Sequence, residues 1–206
     1  MDIAQFKTQP LLGILRGIEK EHLAPVLEAV IASGLKTIEI AMNTPDALAS
    51  IREAKRRTQG KLVLGAGTVL TMDALKSALD AGATFIVLPV LVKEVVAYCV
   101  KNKIPVFPGA LTPEEIYKAW DAGATMVKVF PAKCFGPEYF LQIKGPLNDI
   151  ELLACAGVTS ENLRDYFSCG ASAVAFGGSV FKKEWLRKKE YVCISEAIKE
   201  YLEQLT

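Results

Sequence analysis

One phrase recurs along the chain and limits the fold more than any other feature. A small or acidic residue, a small residue or cysteine, glycine and two further residues lead into a β-branched apolar run. Its copies are Ala32-Ser33-Gly34-Leu35-Lys36-Thr37-Ile38-Glu39-Ile40, Asp80-Ala81-Gly82-Ala83-Thr84-Phe85-Ile86-Val87-Leu88, Asp121-Ala122-Gly123-Ala124-Thr125-Met126-Val127-Lys128-Val129 and Ser168-Cys169-Gly170-Ala171-Ser172-Ala173-Val174-Ala175-Phe176. They return about every 40 to 50 residues, the mark of a repeated supersecondary unit. Physically, each reads as a helix that stops at a left-handed glycine, followed by a strand buried on both faces.

Filling the intervals gives eight strand-like runs: Leu11–Arg16, Thr37–Met42, Leu62–Gly67, Phe85–Leu88, Val106–Pro108, Met126–Phe130, Leu152–Ala156 and Ala173–Phe176. Amphipathic stretches separate them, at His22–Ala32, Pro45–Arg57, Met72–Asp80, Val92–Lys101, Pro113–Asp121 and Ser160–Phe167. Thr44-Pro45, Thr71-Met72-Asp73 and Thr112-Pro113-Glu114-Glu115 suit helix starts. Lys182–Lys189 reads as a closing loop and Glu190–Leu205 as a final helix. Eight βα units in 206 residues predict an α/β fold, a small (β/α)8 TIM barrel forming one domain over residues 1–206. A doubly wound open sheet is the competing arrangement.

Composition narrows the chemistry. A formal net charge of +1, with no basic stripe interleaved with aromatics, excludes nucleic acid as the expected partner. No apolar run nears the roughly 18 residues of a membrane span, and Met1–Phe6 lacks the basic start of a signal peptide. A soluble cytoplasmic protein is expected. The five cysteines, Cys99, Cys134, Cys155, Cys169 and Cys193, show no CxxC spacing and suggest neither a disulfide framework nor a structural zinc site. The single histidine, His22, follows Glu21 at a helix start and reads as a surface residue. One histidine supports neither a catalytic zinc nor a histidine triad, so no metal and no cofactor is expected.

Two residues break the apolar pattern of the strands. Lys128 lies inside Met126-Val127-Lys128-Val129-Phe130, and Glu39 lies inside Ile38-Glu39-Ile40. An ammonium buried without a partner costs several kcal/mol, so it needs a counter-charge or a chemical task. A neutralised lysine amine attacks carbonyls, forming a Schiff base. Barrel closure brings inward positions of different strands into one cavity, where the carboxylate and the amine serve as an acid/base pair. The plainer readings are a lysine snorkelling from an edge strand and a buried ion pair that fixes register. Active sites of such barrels lie at the C-terminal ends of the strands. Arg16 ends the first strand and suits a carboxylate or phosphate by bidentate hydrogen bonding, or else a salt bridge at the rim. Gly177-Gly178-Ser179 follows the last strand and resembles a phosphate-holding turn, or else a simple tight turn. Thr68 offers a hydroxyl after strand three. Together these describe a metal-free Schiff-base lyase, with a non-catalytic phosphosugar-binding barrel and a phosphosugar isomerase or epimerase as competitors.

Several ordered segments resemble one known family. They are Ile14-Leu15-Arg16-Gly17-Ile18, Ile38-Glu39-Ile40, Gly65-Ala66-Gly67-Thr68-Val69-Leu70, Phe107-Pro108-Gly109, Val127-Lys128-Val129-Phe130-Pro131-Ala132 and Gly178-Ser179. The chain resembles the KHG/KDPG aldolases from about Leu11 to Leu202. The resemblance implies a homotrimeric (β/α)8 barrel acting on a phosphorylated keto-acid, a 2-keto-3-deoxy-6-phospho sugar acid, to yield pyruvate and glyceraldehyde 3-phosphate. Cleavage of unphosphorylated 4-hydroxy-2-oxoglutarate is the alternative within the family. By the same resemblance Lys128 is the Schiff-base lysine and Glu39 the general base, while Thr68 and Arg16 hold the pyruvate portion. Pro89 and Phe130 line the pocket, and Gly157, Gly178 and Ser179 bind phosphate. Asn43, in place of an arginine, and Phe135-Gly136-Pro137 resemble the phosphogalactonate branch. Cys155-Ala156-Gly157 departs from the family's Thr-Gly-Gly or Val-Gly-Gly, placing a methyl group at Ala156 and a thiol at Cys155, a position suited to choosing between C4 epimers.

Overall fold

The computed structural model describes residues 1–205. Helix α1 (Ile3–Thr8) precedes β1 (Leu11–Leu15), and α2 (Lys20–Ser33), β2 (Thr37–Ala41), α3 (Ala47–Thr58), β3 (Val63–Gly67), α4 (Met72–Ala81), β4 (Ile86–Val87) and α5 (Lys93–Lys101) follow. The second half runs β5 (Val106–Phe107), β6 (Gly109–Ala110), α6 (Pro113–Asp121), β7 (Val127–Val129), α7 (Pro137–Lys144), β8 (Leu152–Cys155), α8 (Leu163–Ser168), β9 (Ala173–Phe176), α9 (Lys183–Lys188) and α10 (Tyr191–Glu203). The recurring phrase behaves as expected. Gly34, Gly82, Gly123 and Gly170 all adopt positive φ, from 92° to 112°, where a Cβ would be strained.

All strand pairs are parallel, in the order β5-β4-β3-β2-β1-β9-β8-β7-β6. The fifth strand expected at Val106–Pro108 is therefore two pieces. Pro108 has no N–H to give the ladder, and the strand breaks there. β5 pairs with β4, whereas β6 pairs with β7, and the Pro108 carbonyl accepts from the Lys128 amide at 2.9 Å. Both ends of the sheet thus meet at one chain segment, which makes a nearly closed TIM-type barrel. The open doubly wound sheet is excluded.

Apolar residues fill two layers. The larger lies between helices and sheet and includes Val26, Ile51, Leu75, Val96, Ile116, Phe140 and Ile198. The smaller fills the barrel interior with Leu12, Phe85, Phe107, Met126 and Leu153. Phe107 meets Phe85 edge-on at 5.9 Å and Phe6 at 6.2 Å between ring centroids. Truncating such a ring to alanine costs about 3–5 kcal/mol. Phe6 belongs to α1, which the sequence reading does not anticipate: six residues are too few to show periodicity. The Asp2 carboxylate caps α1 by accepting from the Ala4 and Gln5 amides.

Other boundaries shift for local reasons. Thr71 and Thr112 cap α4 and α6 as expected, the latter in a reciprocal capping box with Glu115. Thr44 caps no helix; α3 starts later, and the Thr44 hydroxyl accepts from the Gly17 amide instead. The closing loop at Lys182–Lys189 holds α9, and α7 fills the stretch after the sixth unit. His22 is buried rather than on the surface: its Nδ1 lies 2.8 Å from the Tyr191 hydroxyl of α10. Among the described residues no helix is long and apolar enough to cross a membrane.

Candidate active site

Strand register sets the height of each polar group in the barrel. Ile14 of β1 pairs with Glu39 of β2, and Lys128 of β7 pairs with Leu153 of β8. Lys128 follows Met126 by two residues, so both side chains turn to the interior, as the period of a strand requires. Glu39 is fully buried and Lys128 is 3% exposed. Neither lies on an edge strand, so the snorkelling reading of Lys128 fails.

The Glu39 carboxyl is the only buried side-chain group among the described residues whose oxygens find no hydrogen-bond partner. Burial pushes its pKa above the ordinary carboxylate value of 4.5, while the charges of Lys128 and Arg16 pull it back. A dry carboxyl that feels two cations, with both oxygens unpartnered, can chemically accept or give a proton to a molecule that reaches it. Gly67 makes the space. A Cβ there would stand 2.3 Å from Glu39 Oε1, so no other residue fits while the carboxyl keeps its place. The next residue, Thr68, carries φ of 58°. That is a costly conformation for a β-branched side chain, about 1–2 kcal/mol, and such strain gathers at functional sites.

Lys128 Nζ sits 5.2 Å from the centroid of Phe130, a cation–π contact that partly replaces its lost water. Cys155, on the neighbouring strand β8, is buried beside it. Burial raises the thiol's pKa; the Lys128 charge opposes that shift and the Glu39 charge adds to it. Glu39, Lys128, Arg16 and Cys155 therefore form one electrostatically coupled group at the C-terminal end of the barrel.

Above this group lies a cavity of about 420 Å³ whose lining includes Arg16, Phe130, Cys155, Ala156, Gly178 and Lys183. Of the residues singled out in the sequence, the cavity thus gathers Arg16, Phe130, Cys155 and Gly178. Pro89 lines a second hollow of about 460 Å³ together with Phe130. Asn43 is exposed on the turn after β2 and lines neither hollow. The competing reading of Arg16, a salt bridge at the rim, fails: no carboxylate lies within ion-pair distance among the described residues.

Two turns border the cavity where β8 and β9 end. Gly157 has φ of 91°, and a Cβ on it would meet Lys133 Cβ at 2.3 Å. Ala156 also takes positive φ, 73°, although its methyl disfavours it. At the second turn, the amides of Gly178 and Ser179 donate to no backbone or side-chain group among the described residues. The Ser179 hydroxyl is engaged elsewhere: it lies 2.9 Å from Tyr201 Oη, which donates to the Val158 carbonyl at 2.8 Å. Tyr201, from α10, thereby ties the two turns together. Sequence reasoning missed Tyr201 and Lys183, because an aromatic on a helix and a lysine in a basic run carry no pattern of their own.

One group of side chains is spaced to share a cation. Ligand atoms of Glu19, Glu21 and His22 lie within 4.8 Å of one another. The two carboxylates are exposed at the start of α2, the imidazole is held by Tyr191, and none lines the cavity.

Comparison with known proteins fits this geometry. The profile of the family described as "Aldolase: KDPG and KHG aldolase" matches residues 3–197. A probable 2-dehydro-3-deoxy-6-phosphogalactonate aldolase of Rhizobium meliloti is 35% identical over 175 residues, covering 84% of this chain and 82% of that protein. The 2-dehydro-3-deoxy-6-phosphogalactonate aldolase of Escherichia coli is 34% identical over 180 residues, covering 86% and 88%. Among solved structures, the KDPG aldolase of Legionella pneumophila superposes with a TM-score of 0.87 at 25% identity, over 95% of each chain. That structure holds pyruvate captured at low pH as a covalent carbinolamine.

Proposed function

This chain belongs to the KDPG and KHG aldolase family, and from that premise we propose that Lys128 is the Schiff-base nucleophile of a class I aldolase with Glu39 as its proton shuttle. The observation that carries the assignment is the buried Glu39–Lys128 pair, with both carboxyl oxygens unpartnered beneath an open cavity. The Lys128 amine adds to the C2 ketone of a 2-keto-3-deoxy-6-phospho sugar acid. Loss of water gives an iminium, which draws electrons toward nitrogen. Glu39 takes the C4 hydroxyl proton, the C3–C4 bond breaks, and its electron pair passes into an enamine. Glyceraldehyde 3-phosphate departs. Proton return to C3 and hydrolysis of the imine then release pyruvate and the free amine.

Arg16 and Thr68 hold the carboxylate end. Gly157, with the amides of Gly178 and Ser179, holds the phosphate, and Phe130 and Pro89 wall the pocket. Asn43 and Cys155 bear on the sugar epimer. The substrate assigned is the galactonate-type epimer, supported by the names of the two relatives above and by a thiol at position 155 in place of a threonine hydroxyl. The enzyme is further read as a cytoplasmic homotrimer. The large exposed side chains Leu70, Val90 and Phe135 on loops at one end of the barrel supply an apolar surface for self-association, and all five cysteines are free.

The test compares kcat/KM for the galactonate- and gluconate-derived substrates by coupled pyruvate detection, with Cys155→Thr alongside. The galactonate epimer is expected to lead, and Cys155→Thr to narrow the gap by about tenfold, the scale of one gained or lost hydroxyl contact. A gluconate preference in the wild type would overturn the epimer assignment. Absence of pyruvate from either substrate would favour the non-catalytic phosphosugar-binding reading.

A further inference from the structure

The cavity lining carries two cations, Arg16 and Lys183, and no carboxylate. Neither cation has an acidic group within ion-pair distance among the described residues. Lys183 stands apart from the basic run around it. Lys182 lies over the Trp185 ring at 4.1 Å, and Lys188 pairs with Glu184 at 2.7 Å. The neighbours are thus engaged on α9 itself, while Lys183 faces the hollow. Two unpaired cations around one hollow are complementary to a ligand that is anionic at both ends.

The two charges are placed at different depths. Arg16 is felt by the buried Glu39 and Cys155, so it belongs to the end where Lys128 reacts. Lys183 follows Gly177-Gly178-Ser179 in the chain and shares the lining with Gly178. The other turn in the same lining carries Ala156 in a left-handed conformation with a methyl group attached. A methyl there keeps an anion from settling as closely on the bare backbone as glycine permits. A long cationic side chain elsewhere in the same lining restores attraction without requiring that close approach.

We infer that Lys183 is a specificity-determining residue that neutralises the phosphate of the substrate and sets the preference for phosphorylated over unphosphorylated keto-acids. This rests on the aldolase reading above. Lys183 supplies binding energy at the end remote from the reacting carbon, where ground state and transition state carry the same charge. Its effect therefore falls on KM, with kcat following only weakly.

The experiment measures kcat and KM of the full-length enzyme, Lys183→Met and Lys183→Arg. The substrates are the phosphorylated sugar acid and 4-hydroxy-2-oxoglutarate, and inorganic phosphate serves as a competitive inhibitor. Lys183→Met, which keeps the aliphatic stem, is expected to raise KM for the phosphorylated substrate about tenfold, the scale of one charge-assisted contact. Its loss on 4-hydroxy-2-oxoglutarate should be several-fold smaller, and inhibition by phosphate should weaken in parallel. Lys183→Arg should recover most of the loss. The ionic-strength dependence of kcat/KM should also flatten in Lys183→Met, because a screened charge has been removed. Equal losses on both substrates, or no change in KM or phosphate inhibition, would overturn the inference while leaving the aldolase reading intact. Failure of the wild type to release pyruvate from either substrate would instead remove the reading on which it rests.

Discussion

The two ends of the cavity are built on opposite principles. At the floor, Glu39 and Lys128 are side chains fixed on strands, dry, and placed by ladder register. At the rim, the chain offers two turns of backbone, with the Lys183 side chain in the same lining. In the proposed mechanism the floor serves proton and electron movement, where a displacement of about 1 Å from productive geometry costs orders of magnitude. In the same mechanism the rim holds charge that does not change during the reaction, which tolerates water and adaptable geometry. The difference also explains where the strain lies: Thr68 borders the floor and Ala156 borders the rim, and each connects a rigid strand to the group it must aim.

If the floor is the reactive end, damage there strikes turnover while damage at the rim strikes binding. The largest effect is expected for Glu39→Gln, which keeps volume but cannot carry the proton: kcat should fall about 10² to 10⁴-fold. The wild-type acid limb of kcat/KM should lie above 4.5, the direction in which burial moves Glu39, and this limb should vanish in the variant. Stability makes an independent check. A carboxyl whose folded pKa is raised favours folding in its neutral form. That contribution is complete below the unfolded value and is lost as pH rises through the folded one. The Tm of Glu39→Gln relative to wild type should therefore rise as pH climbs above 4.5. A constant difference would contradict the buried, unpartnered carboxyl.

Gly67→Ala probes the same floor without touching a reacting group. The new Cβ would collide with Glu39 Oε1 at 2.3 Å, so the carboxyl must move. A loss of about 10 to 10²-fold in kcat is expected, together with about 1–3 kcal/mol of stability. Normal turnover would show that the position of Glu39 is not critical. Tyr201→Phe tests the rim. It removes the hydroxyl between Ser179 and Val158, and it should raise KM for the phosphorylated substrate several-fold with little change in kcat. A fall in kcat without a KM effect would mean that the turns and the floor are not separable as described.

The same contrast governs what the sequence reveals. Glu39 and Lys128 stand out because charge inside a buried strand violates the pattern of its neighbours. The barrel itself is visible in the spacing of Gly34, Gly82, Gly123 and Gly170, since the turn into each of β2, β4, β7 and β9 uses a left-handed glycine. The break at Pro108 is less visible. The proline is plain, but its consequence depends on which strands flank it, and only closure decides that. The rim is harder still. The left-handed backbone of Ala156 is unreadable from alanine, and the link from Tyr201 to Ser179 spans 22 residues. His22 misleads for a related reason: a polar residue at a helix start looks exposed until α10 arrives to cover it.

The most direct test of the account is reductive trapping. Incubating the protein with pyruvate and borohydride, followed by peptide mass mapping, should place one reduced pyruvyl adduct on Lys128, and Lys128→Met should give neither adduct nor pyruvate release. An adduct on another lysine, or full turnover by Lys128→Met, would contradict the claim that the buried lysine of β7 is the nucleophile.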